Sequence, residues 1–94
     1  MTANTNQNEA IIFILEIYVD SGMLDDVSEE LTKIPEVMSL YEVTGSADLV
    51  ALIKCPSILL FRNLLVGNVM KIDGVRNIIS SVVLSATKPQ HLQS

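Results

Sequence analysis

Few residues in this sequence have the means to hold or transform a small molecule, and the stretch YEVTGSADLV, Tyr41 to Val50, gathers most of them. It carries the hydroxyls of Thr44 and Ser46, a glycine at Gly45, Ala47 and the carboxylate of Asp48. A fixed carboxylate suits an ammonium group through a charge-assisted hydrogen bond. Backbone N–H groups of a glycine-bearing turn suit a bound carboxylate. The competing reading is simpler: Gly and Asp are common turn residues, and Asp48 then only caps its own backbone. On the residues alone, the turn reading is favoured.

Catalytic chemistry finds less to work with. The one histidine, His91, sits in the polar stretch KPQHLQS at the end of the sequence. Cys55 follows an apolar run with no neighbouring base to activate it, so it reads as a small buried hydrophobe. Glu9 and Glu16 are carboxylates without a nucleophile to serve. No phosphate loop, nucleotide fingerprint or zinc-ligand spacing occurs. The expectation is therefore no catalytic residue, no metal and no cofactor.

Bulk properties narrow the class. Ninety-four residues make one domain at most, and folding at this length buries roughly 60–65% of the unfolded chain's surface, which leaves a lone copy marginal. Apolar residues make up 49% of the chain, a surplus that self-association would use. Six Lys and Arg stand against eleven Asp and Glu, so no basic footprint exists for nucleic acid. A single cysteine excludes a disulfide framework and fits a cytoplasmic protein. The opening residues MTANTNQNE lack the basic region of a signal peptide. The run AIIFILEIYV is too short to cross a bilayer and is interrupted by Glu16. Polar tails are expected at residues 1–9 and 89–94, around one domain at 10–88.

The elements that must position the 44–48 turn follow from periodicity. Residues 11–19 are β-branched and aromatic enough for a buried strand. Leu24, Val27, Leu31 and Ile34 fall at helical spacing, with Asp25 and Asp26 placed to suit the helix N-terminal dipole and Pro35 ending the helix. Strands are expected at 37–44 and 49–55, joined as a hairpin through the Gly45–Asp48 turn. Ser57 is a candidate N-cap for a helix over 58–70, and VRNIISSVVLSA supplies a fourth strand. The order β-α-β-β-α-β predicts an α+β, ferredoxin-like fold: an antiparallel four-stranded sheet with both helices on one face.

Two features predict association. Alternation divides strand 1 into Ile11/Phe13/Leu15/Ile17 and Ile12/Ile14/Glu16/Tyr18, and strand 3 into Leu49/Ala51/Ile53 and Val50/Leu52/Lys54. Both sets are mainly apolar, whereas helices cover one face only, so a homodimer packed sheet to sheet is expected. The second helix is apolar on more than one side. Either it meets another subunit or it lies deep in its own core.

The segments IPEVMSLYEVTGSADLVALI and IDGVRNIISSVVLSATK resemble the effector-binding module, or RAM domain, of the Lrp/AsnC transcription regulators. The matching features are a proline before strand 2, the Val-Thr-Gly-x-x-Asp-Leu turn and a Gly-Val pair opening strand 4, in order across nearly all of residues 10–88. The resemblance implies dimers joined through the sheets, assembly of dimers into rings, and amino-acid effectors held in clefts between dimers. It shifts the balance at Thr44, Gly45, Ser46, Ala47 and Asp48 towards a ligand role. The family often carries two hydroxyl residues, two apart, on strand 4. Here those positions read Ile78 and Ser80, so Ser80 keeps a hydroxyl and Ile78 departs, which suits a smaller or more apolar effector. With about nine polar residues before strand 1, the chain is expected to lack the family's helix-turn-helix domain and to act on DNA only through a full-length regulator with which it co-assembles. Two readings from other classes stay open: a small cofactor-free enzyme of the dimeric α+β barrel type, and a purely structural ring-former.

Overall fold

A computed structural model describes residues 10–89; the expected tail at 1–9, most of the tail at 89–94, and with it His91, lie outside the described residues. The chain runs β1 (Ile11–Val19), α1 (Leu24–Thr32), β2 (Val37–Glu42), β3 (Leu49–Cys55), α2 (Ile58–Gly67), a 3-10 turn at Val69–Lys71, and β4 (Val75–Val82). All three strand pairings are antiparallel, in the order β2-β3-β1-β4. The two most apolar strands, β1 and β3, are thus the central ones.

One continuous core accounts for this arrangement. Phe13, Leu15, Ile17 and Val19 of β1 and Leu49, Ala51, Ile53 and Cys55 of β3 point to the same side and are buried. Val27 and Leu31 of α1, with Phe61 of α2 and Val69, join the same cluster. Both helices therefore cover one face of the sheet. Phe13 stacks on Phe61, ring centroids 3.8 Å apart, which ties the centre of β1 to α2. Burial of such side chains contributes about 1.5–3 kcal/mol each and drives the fold.

Local chemistry sets the element ends. Asp25 and Asp26 occupy the first turn of α1, where negative charge complements the helix dipole. The Ser57 hydroxyl accepts from the Leu60 N–H at 3.1 Å, a side-chain cap for α2. That helix is shorter than the periodicity suggests: it stops at Gly67, and the chain tightens into the 3-10 turn. At Gly74 (φ +100°) a Cβ would stand 2.7 Å from Met23 Cβ and 3.0 Å from Val27 Cγ2. Only glycine fits between α1 and the start of β4, and its carbonyl accepts from the Asp20 N–H at 2.8 Å.

The outer strands are also shorter than expected. β2 ends at Glu42 rather than Thr44, because β3 begins at Leu49 and Glu42–Leu49 is the last rung. β4 ends at Val82, opposite Phe13, with one further bond from the Val83 N–H to the Ile12 carbonyl. On α2, Ile58, Leu59, Leu60 and Val66 are exposed while Phe61 is buried, and Met70 of the following 3-10 turn is exposed too. Within the single chain the helix does not lie deep in its own core.

Candidate functional site

The turn between β2 and β3 is built at the C-terminal end of β1. Val43 donates its N–H to the Asp48 carbonyl at 3.1 Å, which closes the loop, and Asp48 donates its own N–H to the Ile17 carbonyl at 3.0 Å. Ile17–Leu49 is the last rung between β1 and β3, so the Val19 N–H lies beyond the ladder. Asp48 supplies its acceptor: one carboxylate oxygen, Oδ2, receives the Val19 N–H at 2.8 Å. A buried N–H left without a partner costs about 1–3 kcal/mol, so this contact holds the strand end as well as the turn.

Asp48 therefore has a structural duty, to a residue 29 positions away rather than to its own turn. That duty engages one oxygen. A carboxylate offers about four acceptor sites, so capacity for a second partner remains. Gly45 has φ +133°, a conformation that side-chain-bearing residues resist, and nothing stands within 4 Å of where its Cβ would be. Thr44, Gly45 and Ser46 are exposed, Asp48 is half-buried and Ala47 is buried. The turn is thus an open rim with a fixed floor.

Tyr18, which the sequence did not single out, belongs to the same place. Its hydroxyl stands 3.5 Å from Ser46 Oγ, a long and weak contact that nonetheless brings a third hydroxyl to the rim. The signal available was alternation: Tyr18 shares a face with Glu16, beside the position that Asp48 takes. On the other flank of β1, Arg76 pairs with Asp20 at 3.7 Å, both exposed. This end of the sheet therefore carries acidic, basic and hydroxyl groups together.

Ser80 is placed differently. It pairs with Leu15 on the opposite side of β1, on the helix-covered face, and is exposed because β4 is an edge strand. Two strand spacings and three residues along the sheet separate it from Asp48, about 14 Å within one chain. A pocket using both must take them from different subunits. Ile78, two residues before, pairs with Ile17 and packs on the core. With Leu65, Met70 and Val75 it lines a shallow cavity of ≈ 150 Å³. Core packing, not a polar cleft, explains the aliphatic residue there.

Larger concavities of ≈ 500 and ≈ 390 Å³ lie on the helical side, bordered by Glu30, Asn68 and Ile72 in both cases. Neither includes a residue of the 44–48 turn or Ser80. Burial, and secondarily Glu36, pushes the Cys55 thiol above its ordinary range. A group of three or more His, Cys, Asp or Glu residues able to hold a metal is absent among the described residues. No helix among them is long and apolar enough to cross a membrane.

Comparison with known proteins supports one family. The AsnC protein of E. coli superposes with a TM-score of 0.85 at 16% identity, covering 100% of this chain and 66% of that protein. A protein of Thermus thermophilus has a TM-score of 0.79 at 22% identity, covering 84% of this chain and 99% of its own. A feast or famine regulatory protein of M. tuberculosis, complexed with L-methionine, has a TM-score of 0.74 at 26% identity, covering 96% of this chain and 64% of its own. This chain thus spans about two thirds of the two regulators. A search of curated protein sequences found no match. The family model for the Lrp/AsnC ligand binding domain matches residues 12–92, and the chain belongs to that family.

Proposed function

We propose that this chain is a small-molecule sensor module that works as a homo-oligomer, takes an amino acid as effector and holds it at the Thr44–Asp48 turn. The observation that carries this reading is the construction of the turn. Its backbone is pinned to β1 by the Asp48 amide and carboxylate, while Thr44, Gly45 and Ser46 stay open to a ligand. A turn already anchored at Asp48 loses less freedom on binding, which lowers the entropic cost of holding a small ligand.

Chemical complementarity supports an amino acid. The Asp48 carboxylate suits an ammonium, and turn N–H groups suit a carboxylate. One wall is present in a single chain; another subunit completes the pocket, with Ser80 contributed from there. The M. tuberculosis relative is complexed with L-methionine, an amino acid with an apolar side chain, which makes such an effector the first to test. In this reading the chain acts without binding DNA itself, and it modulates a full-length regulator by entering its assembly. Isothermal titration with L-methionine tests the proposal. Saturable binding that disappears when the amino or the carboxylate group is blocked supports it. Heat that persists with both groups blocked contradicts it.

A further inference from the structure

On the sheet face away from the helices the two central strands carry two charges among apolar residues, while the outer strands add the polar Ser39, Asn77 and Ser81. Ile12, Ile14, Tyr18, Val50 and Leu52 are half-buried there, and Ile79 is 46% exposed. Glu16, half-buried, pairs with Val50 and Ile79; Lys54, exposed, pairs with Ile12. Neither forms a salt bridge among the described residues. The Ile14–Leu52 rung lies midway between them, with Glu16 two residues along one way on β1 and Lys54 two residues along the other way on β3. By strand spacing they are about 14 Å apart, too far to pair within one chain.

That diagonal is self-complementary. A two-fold axis lying between two packed sheets, across the strands and over the Ile14–Leu52 rung, carries Glu16 of one copy over Ile12 of the other, one strand spacing (about 4.8 Å) from the Lys54 that pairs with Ile12. It does so twice, once at each end of the apolar centre. Sheets pack about 10 Å apart, a gap that extended Lys and Glu side chains leaning towards each other span. An axis running along the strands instead sets Glu16 over the Val50 side of the partner and leaves both charges unmatched. Unmatched charges in a dry interface are costly.

We infer that Glu16 and Lys54 form two symmetry-related interchain ion pairs that set the register of a homodimer of this chain. The inference rests on the homo-oligomer of the proposed function and on the sheet-to-sheet packing expected from the sequence, and adds which residues specify that packing. Like charges facing each other suppress wrong pairings, which is how such pairs give specificity.

The test is a charge-exchange series followed by sedimentation equilibrium, with circular dichroism to confirm folding. Glu16→Lys alone and Lys54→Glu alone each place like charges opposite one another, and each should weaken dimerisation roughly tenfold or more. An equimolar mixture of the two variants should form heterodimers, because every facing pair is again opposite in sign. The double variant Glu16→Lys/Lys54→Glu should dimerise within about threefold of wild type. Single variants that associate like wild type overturn the inference while leaving sheet-to-sheet association intact. Weakened single variants that neither mix into heterodimers nor recover in the double variant also overturn it. A wild-type chain that stays monomeric at micromolar concentration removes the association itself, and is told apart by needing no variant.

Discussion

Replacing Asp48 separates its structural duty from its proposed ligand duty. The carboxylate accepts the Val19 N–H at 2.8 Å in a half-buried place. Asp48→Ala leaves that N–H without its acceptor and removes a bond to a charged group, a loss of about 2 kcal/mol. For a domain of this size that lowers Tm by about 8–16 °C. Asp48→Asn keeps an acceptor oxygen in nearly the same place, so it should cost no more than about 1 kcal/mol, the net value of a neutral hydrogen bond. Urea unfolding at one fixed protein concentration measures both, since association alters apparent stability. The same two variants are then titrated with an amino acid that the wild type binds. Asn preserves the turn yet lacks the charge that attracts an ammonium, so it should stay folded and lose affinity. If Asp48→Ala unfolds at the wild-type urea midpoint, the Val19 contact contributes nothing and the turn is not pinned in this way. If Asp48→Asn binds as tightly as wild type, the carboxylate does not meet the ligand.

Further expectations follow from other contacts. Gly74→Ala forces a Cβ to within 2.7 Å of Met23 Cβ at φ +100°, so urea unfolding should show a loss of about 3 kcal/mol from strain and overpacking together. The raised Cys55 thiol pKa means the folded state holds its proton after the unfolded state has released it. Stability from this group is therefore intact below the unfolded thiol value, about 8.5, and is lost as pH rises beyond it; denaturant midpoints at pH 7 and about 9.5, on either side of that value, compared with Cys55→Ala, check this. With eleven acidic against six basic residues, a gel-shift assay at physiological salt should show no duplex binding by the purified chain.

How much of this was legible before the structure depends on how far each feature reaches along the chain. β1 and β3 have their expected limits because nine and seven apolar-rich residues leave little choice, and the proline and serine after Cys55 end the run sharply. Val43 and Thr44 read as strand by type, yet no rung lies opposite them, since pairing is decided by where β3 starts. Ser85 and Ala86 fall outside β4 for the same reason: β1 begins at Ile11. The turn was visible as a Gly and Asp pattern, whereas the partner of Asp48, Val19, is a tertiary fact. Gly74 stood out as a Gly-Val pair, but its reason, the closeness of Met23 and Val27, needed coordinates. Ser80 and Ile78 were seen two apart on one strand; that Ile78 packs on the core while Ser80 meets solvent follows from where α2 lies.

Whether this family member binds an amino acid is decided by a thermal-shift screen of the assembled protein against all twenty of them. A ligand that binds only the native state raises stability by about 2.7 kcal/mol at a hundredfold excess over its Kd, which is about 10–20 °C in Tm for a domain of this size. Such a rise is expected for one amino acid or a small, chemically related group, with the larger rises among apolar side chains. A flat response to all twenty at millimolar concentration would overturn the sensor reading.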